Sequence, residues 1–410
     1  MKKTEKLKIG IDSMCVYSRL RSVPPTARLR VLLERLDTED FFRCYSDFFG
    51  ELAAYGSLRE CVCSLVLSDD NIFTRCAAAG KLDSLPASVL SAAENDLRIL
   101  SEISALSAKD IKDCVSEEYR ELAQQLPEWN VGDDIPPLSL EGDERRRFLD
   151  EYHRKNGYGI FSSSRAFSWQ DDTLVPIKFT NTVRLEDLKN YDAQKKQVEE
   201  NTLSFLENLP ANNVLLYGDR GTGKSSTVHA VLNRYADRGL RIVEISKGDI
   251  GSLTRIRERL SECPMKFIIF IDDLSFDSHE DSFGELKAAL EGSLSGTQGN
   301  ILIYATSNRR HLIKESYSDR ENDIHRSDTV QEEMSLSDRF GLSVYYENPD
   351  KKDYLDILAK IMSDRGIVVD SERLNSAAEL WARRRGGRSP RCAKQFADYV
   401  EACEKRNINW

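Results

Sequence analysis

The stretch Gly218-Asp219-Arg220-Gly221-Thr222-Gly223-Lys224-Ser225 has residue types and a spacing suited to holding phosphate. Glycines let the backbone wrap closely around a phosphate, so that successive N–H groups point at the negative charge. Lys224 can then reach the β- and γ-phosphates, and Ser225 can place its hydroxyl on Mg²⁺. Ser226 continues into a helical segment, STVHAVLNRYADRG, whose N-terminus adds partial positive charge. The apolar run 214–217 before the loop is long enough for a buried strand. A strand before and a helix after leave little room for a chance glycine turn.

Farther along, the apolar run 266–271 closes on Asp272-Asp273. An acid at the end of such a strand can hold Mg²⁺ through coordinated waters, because Mg²⁺ prefers oxygen ligands and keeps much of its hydration. Asp272 is the metal candidate, with Ser225. Asp273 is the candidate to polarise an attacking water. Alone the pair is a weak signal, but after a complete phosphate loop it is a strong one. Between the two motifs lies a candidate strand, 240–245, expected to separate the two motif strands in the sheet. A fourth, 301–306, ends at Ser307-Asn308, where a polar tip would lie near the γ-phosphate. A fifth runs from Leu342 to Tyr346.

These strands alternate with helical segments, the signature of a parallel sheet flanked by helices. The first ~125 residues read differently. Leu29, Leu32, Leu33 and Leu36 recur at helical spacing, as do Leu58, Val62 and Leu65, then Val89, Leu97, Leu100 and Ile103. Ser84 before Pro86 suits a first-turn proline, and Ser107 with Asp110 can form a capping pair. The aromatic segment from Phe41 through Tyr45 to Phe49 reads as core. Residues 127–141, rich in proline and without periodicity, read as a linker. The polar segment 314–334, which holds His325, reads as a mobile loop.

Composition narrows the function classes. Lys+Arg number 58 against 68 Asp+Glu, a net charge of −10 that argues against a globally basic nucleic-acid coat. The lid segment 351–410 carries 13 basic and 9 acidic residues, +4, too little to decide. No apolar run is long enough to span a membrane, and the start of the chain does not resemble a signal peptide. Nine cysteines without paired C-x-x-C spacing, and five histidines, point to reduced thiols and no structural metal.

The order of these motifs, with Ala305-Thr306-Ser307-Asn308, then Asp338-Arg339-Phe340-Gly341, then Ser389-Pro390-Arg391, resembles an AAA+ ATPase. More narrowly, NNVLLYGDRGTGKSS, FIIFIDDLSF, LIYATSNRRHLIKE and SLSDRFGL resemble an uncharacterised bacterial family of AAA+ proteins, over roughly 176–405. The resemblance implies that Asn308 is the sensor-1 residue, Arg339 an arginine finger, and Arg391 the sensor-2 residue of a helical lid. It also implies that 183–202 packs on adenine. Two features depart from the pattern: Asp273 where glutamate is usual, and Asn190 where glycine is common. On the residues alone, the lesser alternatives are that Asn308 is a cap, Arg339 a salt-bridge residue, and Arg391 part of a basic face with Arg383, Arg384, Arg385 and Arg388. Arg309-Arg310 suit partner contact or plain solvation equally.

The expected molecule has a helical accessory domain (1–126), a linker with connecting helix (127–175), a nucleotide-binding core with a five-stranded parallel sheet (176–349), and a helical lid (350–410). The expected function is a cytoplasmic, oligomeric, Mg²⁺-dependent ATPase that binds ATP and ADP and remodels or loads a protein partner. A slow nucleotide-dependent switch and a DNA-associated loader are the alternatives.

Overall fold

The computed structural model describes residues 3–178, 182–276, 281–293, 299–308 and 339–410. Arg309, Arg310, the segment 314–334 with His325, and Ser335 to Asp338 lie outside the described residues. The chain divides into two compact units, Met1–Ser163 and Ser164–Trp410.

In the first unit, amphipathic helices bury their apolar stripes around one core. The helix Phe41–Leu52 shows the rule: Phe41, Tyr45, Phe48 and Leu52 recur at helical spacing and are all buried. The segment expected to be a linker belongs to this core. Trp129 is buried against Tyr45 and Phe48, with ring centroids 5.4 and 5.2 Å away. Its indole N–H donates to the Leu106 carbonyl at 2.9 Å. The backbone N–H groups of Leu58 and Arg59 donate to Asn130 and Val131. Proline-rich chain without periodicity can thus be fixed by one large aromatic anchor. Ser107 and Asp110 form the expected capping box. Pro86 instead precedes its helix, which starts at Ala87.

The second unit is built on a sheet of seven strands, not five. They are β1 (Ala166–Gln170), β2 (Thr173–Pro176), β3 (Val214–Gly218), β4 (Leu240–Ile245), β5 (Lys266–Ile271), β6 (Ile301–Ser307) and β7 (Leu342–Tyr346). Their order is β2-β1-β4-β5-β6-β3-β7. All pairs are parallel except the β1–β2 hairpin, which extends the β4 edge and falls, all but Pro176, within the stretch read as linker and connecting helix. Its turn is Asp171-Asp172, both in the left-handed region, as a tight two-residue hairpin turn requires. The expectation that 240–245 parts the two motif strands is also corrected. β6 stands between β3 and β5, and β4 lies on the far side of β5.

The segment expected to be a lid comprises three helices, Lys351–Asp364, Ser371–Arg384 and Pro390–Arg406. Asp350, Asp370 and Ser389 cap them by accepting N3 backbone N–H bonds. Tyr354, Ile357, Leu358, Ala378, Phe396 and Val400 form their shared core.

Candidate functional site

Parallel register decides what meets at the site. Tyr217 lies opposite Ser307, Gly218 opposite Tyr346, and Ile271 opposite Ala305. The phosphate loop, Asp272-Asp273 and Asn308 therefore leave the sheet at one edge, beyond the carboxyl ends of the strands, where open α/β sheets bind ligands. A cavity of about 930 Å³ opens there between the sheet and the lid helices.

Gly218 adopts φ 126°, and a Cβ on it would lie 2.0 Å from the Tyr346 carbonyl oxygen, so only glycine lets the loop leave the strand. The helix Lys224–Tyr235 starts directly after Gly223. Its first-turn N–H groups have no intrahelical acceptor and are open to an anion. Arg220, Gly221, Thr222, Gly223, Lys224, Ser225 and Ser226 line the cavity. Gly218 and Asp219 do not. Asp219 turns its carboxylate away and accepts the Asn348 N–H at 2.8 Å, while its own N–H donates to the Tyr346 carbonyl.

Lys224 is buried, and its ammonium donates to the carbonyls of Gly218 (2.9 Å) and Asp219 (2.6 Å) and to Asn308 Oδ1 (3.3 Å). Burial lowers its pKa to about 8 against the pull of Asp219, Asp272 and Asp273. Ser225 Oγ donates to Asp272 Oδ1 at 2.6 Å, which brings together the two groups expected to serve Mg²⁺. The donor set is hydroxyl and carboxylate oxygen only, as a hard cation requires. Among the described residues no group of three or more His, Cys, Asp or Glu forms a ready-made metal cage.

Asp273 sits in the left-handed region at φ 53°, and its carboxylate accepts from Asn308 Nδ2 at 2.5 Å. Thr306 organises both acids: its hydroxyl donates to Asp272, and it accepts the Asp273 N–H at 2.9 Å. Sequence reasoning passed over Thr306 as a strand residue. The signal was a small hydroxyl side chain near the strand's end, two residues before Asn308.

From the lid, Arg391 reaches the loop. Its backbone N–H donates to the Gly221 carbonyl at 3.1 Å, and its side chain lines the cavity. The rest of the arginine-rich stretch sorts differently. Arg388 forms a two-pronged pair with Glu379 at 2.9 and 2.7 Å, and Arg385 stacks over Trp381. Val183, Leu188, Tyr191, Ile357 and Ile361 also line the cavity and give it apolar surface fit for a base. Tyr191 packs on Tyr346 with centroids 5.2 Å apart, and its hydroxyl donates to the Glu347 carbonyl at 2.7 Å. Asn190 adopts φ 69°, a conformation that asparagine tolerates better than most residues, so its place at a glycine-favoured position is accommodated.

Arg339 does not line the cavity. It lies three residues before Leu342, which pairs with Val214 at the start of β3, whereas the loop follows the end of β3. Five strand residues, roughly 13–17 Å, separate those levels. Arg339 is thus not among the side chains that meet at its own loop.

The family profile described as "Protein of unknown function (DUF815)" matches residues 162–404, well over half of the chain. The 26S proteasome regulatory subunit 6B homolog of Schizosaccharomyces pombe is 28% identical over 191 residues, covering 39% of this chain and 49% of that protein. The chain thus spans about half the length of the curated relative it matches. Among solved structures, the RuvB Holliday junction branch migration motor of Thermotoga maritima aligns with TM-score 0.38 and 16% identity, covering 55% of this chain and 66% of its own. AMPPCP-bound DnaA from Aquifex aeolicus aligns with TM-score 0.39 and 18% identity, covering 55% and 67%. With a family match across the sheet and lid, and the motif strands in this order, the chain belongs to the DUF815 family and carries the α/β fold of an AAA+ ATPase.

Proposed function

We propose that the unit 164–410 binds Mg·ATP and hydrolyses it to ADP and phosphate, using the cycle to move the lid against the sheet. The observation that carries this reading is a cavity in which Lys224, the Ser225–Asp272 pair and the Asp273–Asn308 pair meet, with Arg391 on the facing wall. Loop N–H groups and Lys224 hold the β- and γ-phosphates. Ser225 and Asp272 would hold Mg²⁺, which would offset phosphate charge. Asp273 accepts a hydrogen bond from the attacking water, Asn308 orients it, and Arg391 answers the γ-phosphate from the lid.

Lid motion has a ready linkage. Residues 345–348 lead from β7 to the first lid helix and are tied to the phosphate loop through Asp219 and to the base end of the cavity through Tyr191 and Gln194. We assign the work to a protein partner and to an assembly of several copies, in which Arg339, beside the edge strand β7, faces a neighbour's nucleotide. No described helix is long and apolar enough to cross a membrane. All nine cysteines are free, which supports work in a reducing compartment such as the cytoplasm. Net charge still disfavours the DNA-loader reading.

A second reading has one observation behind it. Asp273 is both shorter than the usual glutamate and already held by Asn308 at 2.5 Å, so a nucleotide-occupied switch with slow turnover also fits. Phosphate release and Mg·ATP titration of the wild type and Asp273→Asn separate the two. Active hydrolysis predicts that the variant binds normally and turns over on the order of 10²-fold slower or worse. Equal phosphate release by both removes Asp273 from water activation and leaves the switch.

A further inference from the structure

Seven cationic side chains line the cavity, and four are already engaged. Lys189 pairs with Asp364 at 2.6 Å. Lys195 pairs with Asp192 at 2.8 Å and donates to the Leu188 carbonyl. Arg365 is shared between Asp398 and Glu401, and Lys224 is held by the loop carbonyls and Asn308. The remaining three, Arg220, Arg391 and Lys394, are exposed, and their side chains make no ion pair or hydrogen bond among the described residues.

The fold brings these three to one place. Arg220 adjoins Gly221, whose carbonyl accepts the Arg391 N–H. A Cβ on Gly221 would lie 3.1 Å from the Arg391 Cβ and 3.0 Å from Ser389 Oγ, so the lid helix abuts the outer turn of the loop. Lys394 follows Arg391 by three residues on the helix Pro390–Arg406, and so shares its face. Like charges gathered along one cavity wall repel. An anion entering the cavity relieves that repulsion. Arg391 has a role in the mechanism above; Arg220 and Lys394 do not.

We propose that Arg220, from the phosphate loop, and Lys394, from the lid, close on the γ-phosphate as cations supplied within one chain, so that a single copy discriminates ATP from ADP and hydrolyses it at a basal rate. The inference rests on the Mg·ATP reading and adds two substrate-contacting residues to it. In the reaction the bond from the γ-phosphorus to the β–γ bridging oxygen breaks and the bond from phosphorus to the water oxygen forms. The bridging electron pair stays with ADP, and the water proton passes to phosphate and solvent. Charge spreads over the γ oxygens as this happens. The planar fork of Arg220 can span two of those oxygens, while Lys394 acts as a mobile point charge. Arg339, reaching from a neighbouring copy, adds an increment that depends on assembly.

The test pairs Mg·ATP and Mg·ADP titrations with single-turnover hydrolysis over a range of protein concentrations, for the wild type, Lys224→Ala, Arg220→Ala, Arg220→Lys, Lys394→Ala and Arg339→Ala. Arg220→Ala should lose about tenfold in its preference for Mg·ATP over Mg·ADP, the scale of a charge-assisted hydrogen bond. It should also lose on the order of 10²-fold in rate at every protein concentration. Arg220→Lys should recover part of both losses, and Lys394→Ala should move both the same way by less. Arg339→Ala should lower the rate most at high protein concentration, where copies assemble. If Arg220→Ala keeps the wild-type ATP-to-ADP affinity ratio and the wild-type dilute rate, the inference is overturned, while loss of binding in Lys224→Ala keeps the nucleotide reading alive. If the wild type binds neither nucleotide, the nucleotide reading itself falls.

Discussion

The two units treat their carboxylates in opposite ways. In Met1–Ser163, Asp96 is fully buried, and its Oδ2 accepts three consecutive backbone N–H groups, from Cys15, Val16 and Tyr17, at 2.9, 2.7 and 2.9 Å. Burial raises its pKa, and the three N–H bonds oppose that rise. In Ser164–Trp410, Asp272 and Asp273 are exposed to the cavity and held mainly by side chains: Ser225, Thr306 and Asn308. A carboxylate bound by backbone cannot let go without unfolding that backbone. One bound by hydroxyls and an amide side chain can exchange those partners for a ligand. Buried acid alone is therefore a poor guide to function; what distinguishes a site is partners that can be replaced.

The sharpest break of this comparison is the pair Lys224→Ala and Asp96→Ala. Lys224→Ala should weaken Mg·ATP binding beyond calorimetric detection, because it removes the loop's point charge on the β- and γ-phosphates. Its thermal unfolding should stay close to wild type, since the ammonium lost was buried at a desolvation cost. A folded Lys224→Ala protein with normal affinity would take Lys224 out of the site.

Asp96→Ala should behave in the opposite sense. It strands three backbone donors and should cost about 3 kcal/mol in the first unit, on the scale of unsatisfied buried groups. Mg·ATP affinity should not change. Denaturant unfolding followed by the fluorescence of the buried Trp129 checks the loss, and Asp96→Asn should recover part of it, since an amide oxygen still accepts. Intact stability in Asp96→Ala would mean that this carboxylate is as replaceable as those of the cavity.

How much of each region was legible follows from the same contrast. The loop, Asp272-Asp273 and Asn308 stood out because phosphate and Mg²⁺ chemistry restricts residue type at fixed spacing. Periodicity gave the helices of the first unit. What stayed hidden depends on distant pairing. Trp129 in a proline-rich stretch gives no periodic signal, and its burial depends on Tyr45 and Phe48, more than 80 positions upstream. The β1–β2 hairpin turns on Asp-Asp, which reaches the left-handed region less readily than Asn-Gly or Asp-Gly. Thr306, Asp219 with Asn348, and the Tyr191–Tyr346 pair are ordinary residues until the parallel register of β3, β6 and β7 brings them together.

The smallest effect concerns protons, and its sign divides binding from stability. The folded pKa of Lys224 is about 8, below its ordinary 10.5, with burial the main cause. Between those values the unfolded chain holds a proton that the nucleotide-free folded chain has released. Stability from this group therefore rises with pH through that window. Binding runs the other way. Above about pH 8 free Lys224 is largely neutral, and the phosphates require it charged, so Mg·ATP binding must take up a proton. Affinity should then fall by up to about tenfold per pH unit well above that point. Calorimetry at pH 9 in two buffers of different ionisation enthalpy should show uptake approaching one proton, reduced at pH 7 and absent in Lys224→Arg, whose guanidinium stays charged. Equal heats in both buffers at pH 9 would show that Lys224 stays charged within the empty loop. The carbonyls of Gly218 and Asp219, with Asp272 and Asp273 nearby, would then outweigh its desolvation.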